Sequence, residues 1–398
     1  MKSLINLVLA TLLASTNPQP TYGQEHLQKK VSEKLALLKD KDPLIRARAA
    51  EELAFFAKDR KQPIVVAALV AATKDEDARV RTKAVSTLGL SKTRDKSAFD
   101  SLKAALSDTD HSVRVGAVHA LFNIGAEPTD TVPFLVGALS DKHEEVRFSA
   151  VRVLRDLRTN AKPALPQLFK ALSEDKDPSV RREAAHALEA IDPTSKDIEA
   201  ALLSAMVDPD KSVRGQAVRS LAGCGTRTGS QKVKTALLSA FNDADGHVRA
   251  KALAALSEIK LDRKEMMPLV LQATQDKSAE SRATAIFVLG ELAKSREEHV
   301  GTIILALEDS APEVRYAAIM VLWGLEYHKT QIELFIRALE DKDVKVKSQV
   351  IHILGDAGTA GRPTVERLTV IRDKDPNKDL RNMAKIALEM IKNGGKKD

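Results

Sequence analysis

The hydrophobic and polar positions of this chain recur in eleven successive segments, about 33.5 residues apart on average. Each segment carries a basic residue, an aspartate six residues before it and a leucine seven residues after it. The basic residues are Arg46, Arg81, Arg114, Arg147, Arg181, Arg214, Arg249, Arg282, Arg315, Lys347 and Arg381. The aspartates are Asp40, Asp75, Asp108, Asp141, Asp175, Asp208, Asp243, Asp276, Asp309, Asp341 and Asp375. Three positions kept through eleven units indicate a repeat architecture.

Each unit predicts two helices separated by a turn that contains the aspartate. In Asp42-Pro43 and Asp177-Pro178 the aspartate suits a helix N-cap and the proline suits the first helical position. Counting the basic residue as position 0, apolar residues at +3, +4 and +7 form one stripe of the second helix. Position +3 is alanine in ten units and Val350 in the other, so that neighbouring helices can approach closely.

One helical hairpin cannot bury both of its apolar faces, so the hairpins must stack on one another. We therefore predict an all-α fold, a right-handed α-solenoid of about eleven hairpins. Glycine is scarce, at 18 residues, and the aromatic residues number only 10 Phe, 3 Tyr and 1 Trp, which also favours a helical chain.

The run Asp175…Val180-Arg181…Ala184…Leu188 resembles the HEAT-repeat family, including its bilin-lyase-like branch. The resemblance extends over roughly residues 27–393, with Ser281 and Lys347 as departures from the Val-Arg pattern. It implies that the aspartates and basic residues form a hydrogen-bonded ladder between adjacent repeats. A guanidinium near a helix start needs carboxylates close by, which supports this interpretation over a phosphate-binding row of arginines.

The first 23 residues have the pattern of a secretory signal peptide. Lys2 precedes an apolar run from Leu4 to Ala14, and Gly23 suits the last position before cleavage. We expect a signal peptide at 1–23, a single solenoid at 24–393 and a polar tail at 394–398. The mature chain would then be exported to the periplasm or beyond, without membrane insertion, as a monomer.

A single cysteine, Cys224, excludes an internal disulfide and any multi-cysteine metal site. It occupies position +10, where other units carry residues such as Ile124 and Ile191. This position favours core packing over a reactive thiol between Gly223 and Gly225.

The second helices should expose a stripe at positions +1, +5 and +8, and in HEAT-like solenoids the second helices line the concave surface. The stripe is basic in its middle part and aromatic towards the C-terminus, where Tyr316, Met320, Trp323 and Tyr327 have helical spacing. The candidate partner-binding residues are Phe148, Arg152, Arg155, Arg182, His186, Arg219, Phe287, Tyr316, Met320, Trp323 and Tyr327. We expect a protein or peptide partner, of acidic character, because aromatic residues and arginine are enriched in binding hot spots. The alternative is that Trp323 packs on the adjacent repeat and the arginines are simply solvated.

Enzymatic and nucleic-acid-binding functions are the alternatives to a scaffold. A di-iron site would need several His-Glu dipeptides, whereas the chain has one, His143-Glu144, and His119 and His186 lie two repeats apart. A bilin-lyase-like activity disagrees with export. The sequence pI of about 9.2 leaves nucleic-acid binding open, although the net charge of +7 is modest. No phosphate loop, His-Glu-x-x-His pair or nucleophile elbow is present. We therefore expect a non-catalytic scaffold without cofactor or metal.

Overall fold

The computed structural model describes residues 22–57, 63–93, 95–293 and 299–394, and within them eleven helical hairpins and no strand. The first helices of the hairpins, here given odd numbers, are α1 Tyr22–Leu37, α3 Pro63–Ala72, α5 Lys96–Ala105, α7 Pro128–Ala138, α9 Leu165–Glu174, α11 Lys196–Ala205, α13 Gln231–Ala240, α15 Arg263–Ala273, α17 Val300–Leu305, α19 Ile332–Ala338 and α21 Val365–Lys374. The second helices are α2 Pro43–Glu52, α4 Ala78–Leu90, α6 His111–Asn123, α8 Glu144–Asp156, α10 Pro178–Ile191, α12 Lys211–Thr228, α14 Gly246–Glu258, α16 Ala279–Ala293, α18 Pro312–Gly324, α20 Val344–Asp356 and α22 Lys378–Lys392. The predicted all-α solenoid class and the number of hairpins are confirmed.

Short helical segments join some of these helices. Single α-helical turns cover Ala54–Ala57 and Tyr327–Thr330. Segments of 3₁₀ helix cover Arg158–Ala164, Ala306–Glu308 and Gly358–Thr364. Tight 3₁₀ turns are a common way of ending or joining α-helices.

The aspartate-containing turns start the second helices as the sequence predicts. In the second repeat, one oxygen of Asp75 accepts a hydrogen bond from the backbone N–H of Asp77 at 2.9 Å. Asp77 is the N-cap of α4, and its own carboxylate accepts from the backbone N–H of Arg79 at 2.9 Å. These bonds satisfy backbone donors that have no partner within the helix.

The chain divides into two compact units, Met1–Gln167 and Leu168–Asp398. In the first unit, α2, α4, α6 and α8 pack in sequence, and the repeat leucines Leu53, Leu88, Leu121 and Leu154 are fully buried. In the second unit, α10, α12, α14, α16, α18, α20 and α22 pack in sequence. The +3 residues are buried throughout the described repeats, which places the predicted apolar stripe in the cores.

A ladder of ion pairs connects adjacent repeats within each unit, as the resemblance implies. Eight of the repeat arginines bind both carboxylate oxygens of the aspartate in the following repeat. The pairs in the first unit are Arg46–Asp75, Arg81–Asp108 and Arg114–Asp141. Those in the second unit are Arg181–Asp208, Arg214–Asp243, Arg249–Asp276, Arg282–Asp309, Arg315–Asp341 and Lys347–Asp375. Because these side chains are largely buried and paired, the ladder is part of the scaffold.

The exposed stripe of the second helices is narrower than the sequence suggests. The prediction that position +8 is exposed is wrong in several repeats. Gly89, Ala222, Gly290 and Gly355, all at +8, are buried. A Cβ atom added to Gly89 would lie 2.5 Å from the Cα atom of Ala120 in the next second helix. Successive second helices therefore touch at +8, and this contact removes the position from solvent.

The predicted signal peptide and the predicted polar tail lie mostly outside the described residues. Of the predicted signal peptide, only Tyr22 and Gly23 are described, at the start of α1, and of the polar tail only Gly394 is described. Both stay predictions. Among the helices that the structure describes, none has the length and apolar character needed to cross a lipid bilayer.

Candidate functional site

Position +5 of the second helices forms a row that keeps contact with solvent in every repeat. We call these residues the +5 row, and none of them is buried. In the first unit the row consists of Glu51, Ser86, His119 and Arg152. In the second unit it consists of His186, Arg219, Ala254, Phe287, Met320, His352 and Ile386. The packing of the repeats thus leaves one line of the second helices available for recognition.

The basic part of this face in the second unit contains arginines that the scaffold does not use. Arg182 on α10 and Arg219 on α12 are exposed, and neither has an ion-pair partner among the described residues. His186 on α10 is half-buried. Unpaired, solvated guanidinium groups keep their donors for an external carboxylate or phosphate.

The first unit carries the other basic candidates on α8. Arg152 is exposed, whereas Arg155 is partly buried and donates to Asp156 at 3.0 Å. Phe148, one turn before Arg152, is partly exposed. Burial and then the positive charge of Arg152 lower the pKa of His119, which favours the neutral imidazole. The cationic character of this face therefore comes from the arginines.

An apolar notch of about 280 Å³ lies between α16 and α18 on the same face of the second unit. Its walls include Phe287, Met320, Val321 and Leu325, and the Phe287 side chain is 45% exposed. Gly290 lies at its base, where an added Cβ atom would approach Val321 Cγ1 to 2.4 Å. The notch has the size and lining to accept one apolar side chain of a partner.

The aromatic residues near the notch do not form the single face that their spacing suggests. Tyr316 and Trp323 lie on α18 and are partly exposed. The helix ends at Gly324, and Glu326 adopts a left-handed conformation with φ of 64°. Tyr327 therefore begins a separate turn, and its position relative to α18 does not follow from helical spacing.

Cys224 is fully buried in α12, which confirms its prediction as a core residue. Burial, followed by the negative charge of Glu189, raises the pKa of its thiol to about 12. A thiol with such a pKa carries almost no thiolate at neutral pH, so it is not a nucleophile.

The structure also brings together three side chains that sequence reasoning missed. His111 begins α6, His143 is the N-cap residue of α8 and Glu145 lies in the first turn of α8. One potential ligand atom from each lies within 4.8 Å of the other two. The signal in the sequence is the separation of His111 and His143 by nearly one repeat, which places residues side by side in stacked hairpins.

A larger open groove, of about 640 Å³, lies between the first helices α9 and α11 of the second unit. Phe169, Leu172, Ala201 and Val207 line it, and Val207 is 84% exposed. Asp197 and Asp208 at its rim make it less basic than the +5 row.

The fold is similar to solved solenoids of the importin-β type. Yeast importin-β (Kap95p) superposes with a TM-score of 0.70 at 15% identity, over 94% of this chain and 58% of that one. A Kap95:Nup1 complex gives 0.69 at 15% identity, over 96% and 57%. Importin β in an ammonium sulfate condition gives 0.61 at 12% identity, over 97% and 58%. The chain thus spans a little over half the length of these solenoids, and the likeness concerns the fold.

None of the curated proteins matches this chain significantly. The sequence model of HEAT repeats, in contrast, matches residues 32–122, 99–189, 198–290 and 300–389. These matches include the ladder and the buried leucines described above, and they confirm the resemblance found in the sequence. The chain belongs to the HEAT-repeat family.

Proposed function

We propose that this protein is a non-catalytic HEAT-repeat scaffold that binds an acidic protein segment along the +5 row of its second unit and the neighbouring Arg182. The observation that carries the proposal is that the arginines fall into two groups with different surroundings. The ladder arginines are paired and largely buried, whereas Arg182 and Arg219 are exposed and unpaired among the described residues.

The partner should combine carboxylates with one apolar anchor. The arginines would bind acidic side chains, and the notch beside Phe287 and Met320 would accept a leucine or phenylalanine. Helices in contact lie about 8–10 Å apart, so Arg219 on α12 and the notch between α16 and α18 are separated by roughly 20–25 Å. An extended peptide rises about 3.3 Å per residue and would need six to eight residues to bridge this distance.

The structural comparison supports a binding function of this kind. One of the similar solenoids was solved as a Kap95:Nup1 complex, that is, with a protein partner. Stacked hairpins present a long, rigid surface to extended partners, and binding there requires no catalytic group.

Peptide binding to the mature protein tests the proposal. The probes are peptides with three glutamates and a phenylalanine six to eight residues away, together with scrambled and all-glutamine versions. Trp323, the single tryptophan, lies on α18 beside the notch residues and serves as a fluorescence reporter. We expect saturable binding that weakens with salt and is at least about tenfold weaker in an Arg182→Glu/Arg219→Glu variant.

Matched controls separate this surface from others. Arg337→Glu reverses the charge of an exposed arginine on the first helix α19 and should leave binding unchanged. Phe287→Asp should abolish anchoring, whereas Val207→Asp, in the groove between α9 and α11, should not. Equal binding by the parent and the Arg182→Glu/Arg219→Glu variant would exclude the basic part of this face as the binding surface. Loss of binding only in Val207→Asp would assign recognition to the other groove.

The proposed location is the periplasm or the extracellular space, and the support is the signal-like pattern of residues 1–23. Cell fractionation of the full-length protein, with N-terminal sequencing of the product, tests it. A mature N-terminus at Gln24 in the exported fraction is expected, and an uncleaved protein in the cytoplasm would contradict it. Strong DNA binding with a steep loss in salt would instead favour a nucleic-acid-binding function.

A further inference from the structure

We propose that His111, His143 and Glu145 form a binding site for a divalent transition-metal ion, with Zn²⁺ as the best-fitting ion. Two imidazoles and one carboxylate are a common donor set for zinc. The site lies within the first unit, at the starts of α6 and α8, and is separate from the +5 row.

The three side chains already lie close together. The imidazole rings of His111 and His143 stack with centroids 3.9 Å apart and planes inclined by 13°. His111 Nε2 lies 3.5 Å from Glu145 Oε2, and the three candidate ligand atoms lie within 4.8 Å of one another. Ligands of one tetrahedral zinc lie about 3.3 Å apart, given metal–ligand distances of about 2 Å. Coordination therefore needs one imidazole to turn about its Cβ–Cγ bond, because a metal ion lies in the plane of each ring that binds it.

His143 replaces a residue that the repeat uses for helix capping. Seven other repeats carry an aspartate at the corresponding N-cap position. These aspartates are Asp42, Asp77, Asp110, Asp177, Asp210, Asp245 and Asp343. The side chain of His143 makes no capping hydrogen bond to α8. This position therefore gives up a favourable local interaction, as is typical of positions kept for a function.

The surroundings of His143 suit a metal ligand. Its Nδ1 atom is buried and has no hydrogen-bond partner among the described atoms, and a carboxylate oxygen of Glu144 lies 3.8 Å away. A metal-bound imidazole commonly donates its second N–H to such a carboxylate. The backbone N–H of His143 donates to Asp141 at 2.8 Å, and Arg114 holds Asp141 through two hydrogen bonds. The ladder thus fixes the main chain of His143 next to α6.

Zinc titration of the mature protein, from which any affinity tag has been removed, tests the site. We expect one equivalent of Zn²⁺ to bind, measured by competition with a chromophoric chelator, and to raise the thermal unfolding temperature. In His143→Asn the affinity should fall at least about tenfold, while asparagine restores the capping group that Asn377 provides to α22. Glu145→Gln should also weaken binding, without changing the fold.

The matched control is His247→Asn. His247 Nδ1 lies 2.7 Å from Glu280 in the second unit, which is a similar histidine–carboxylate pair between adjacent repeats but one without a second histidine. This variant should bind zinc as the parent does. The proposal would be overturned if no equivalent bound, or if His143→Asn and His247→Asn had the same affinity as the parent. Equal weakening by the two variants would show that isolated surface histidines account for binding, and would overturn it as well.

Discussion

Arg249 and Asp276 lie 27 residues apart in adjacent hairpins and are joined by a two-point ion pair, with Arg249 Nε 2.7 Å from Asp276 Oδ2. The same guanidinium donates through Nη1 to the backbone carbonyls of Asp243 and Ala244 in its own turn, at 2.8 and 3.0 Å. One arginine therefore closes its own turn and ties it to the next. The pattern recurs along each unit and explains why the aspartate and the basic residue repeat so strictly.

Removal of one ladder carboxylate should destabilise the protein strongly. Asp276→Asn removes the charged partner that binds the largely buried guanidinium of Arg249 at two points, although the amide oxygen can still accept from the Ser278 backbone N–H. We expect a loss of about 3 kcal/mol, measured by urea denaturation followed by circular dichroism. In the exposed pair Arg372–Asp373, Asp373→Asn should leave the urea midpoint unchanged, because solvent screens an exposed ion pair. Similar effects of the two substitutions would contradict the structural role of the ladder.

Acid should weaken the ladder within a defined pH range. The hydrogen bond from Arg249 lowers the pKa of Asp276 from 3.8 to about 2. Arginine hydrogen bonds likewise lower the pKa values of Asp75, Asp243 and Asp309. Because these carboxyls bind protons less tightly in the folded state, their contribution to stability is complete above the unfolded pKa of about 4 and is lost as the pH falls towards 2.

The measurement for this pH dependence is the urea midpoint between pH 7 and pH 2. Above pH 5 these carboxyls stay ionised in both states, so they should not change the urea midpoint. Below pH 4 the midpoint should fall steeply. The Asp276→Asn variant, which lacks one such group, should show a shallower fall. An identical slope in the parent and the variant would show that Asp276 does not contribute.

The Lys347–Asp375 pair is the weakest of the described ladder pairs and can be strengthened. Lys347 Nζ makes one contact of 3.4 Å with Asp375, because an ammonium group cannot bind both carboxylate oxygens in the planar arrangement that a guanidinium adopts. Lys347→Arg should raise stability by about 0.5–1 kcal/mol, seen as a higher urea midpoint. Lys345→Arg, at an exposed position two residues away, is the control and should have no effect.

Two glycines of the first unit should respond in opposite directions to the same substitution. Gly89→Ala places a Cβ atom 2.5 Å from the backbone of Ala120, forces α4 and α6 apart, and should cost about 1–3 kcal/mol. At Gly116 in α6 the nearest atom, Ser86 Oγ, is 3.6 Å away, so Gly116→Ala should stabilise the helix by about 0.5–1 kcal/mol. Thermal unfolding of both variants checks this, and destabilisation by both would contradict the assigned contact.

Sequence reasoning succeeded where one repeat constrains its own residues. The helix starts follow from capping residues such as Asp42 and Asp177, and the burial of Cys224 follows from its register with the core position +10. The ladder was implied by the resemblance to HEAT repeats, in which such aspartates and basic residues pair between neighbouring repeats. These features depend on local spacing and on the requirement that apolar stripes be buried.

Sequence reasoning failed where two elements meet. The burial of Gly290 depends on how closely α18 approaches α16. The spacing of residues within one helix does not predict the distance between two helices. Tyr327 leaves the face of α18 because Glu326 takes a left-handed conformation, which no residue type in this segment required. The apolar notch beside Phe287 is likewise lined by residues of both helices, so its presence depends on how they pack.

The amino-acid sequence by itself determined the family and the eleven hairpins, because both depend on a pattern repeated along the chain, and the resemblance to that family implied the ladder. Only the tertiary structure decided which polar residues remain unpaired and which side chains from different repeats become neighbours. Arg219 and the cluster of His111, His143 and Glu145 belong to this second group. The physical reason is that a sequence period specifies the order of the repeats along the chain. The distances between side chains of different repeats are set only when the repeats stack.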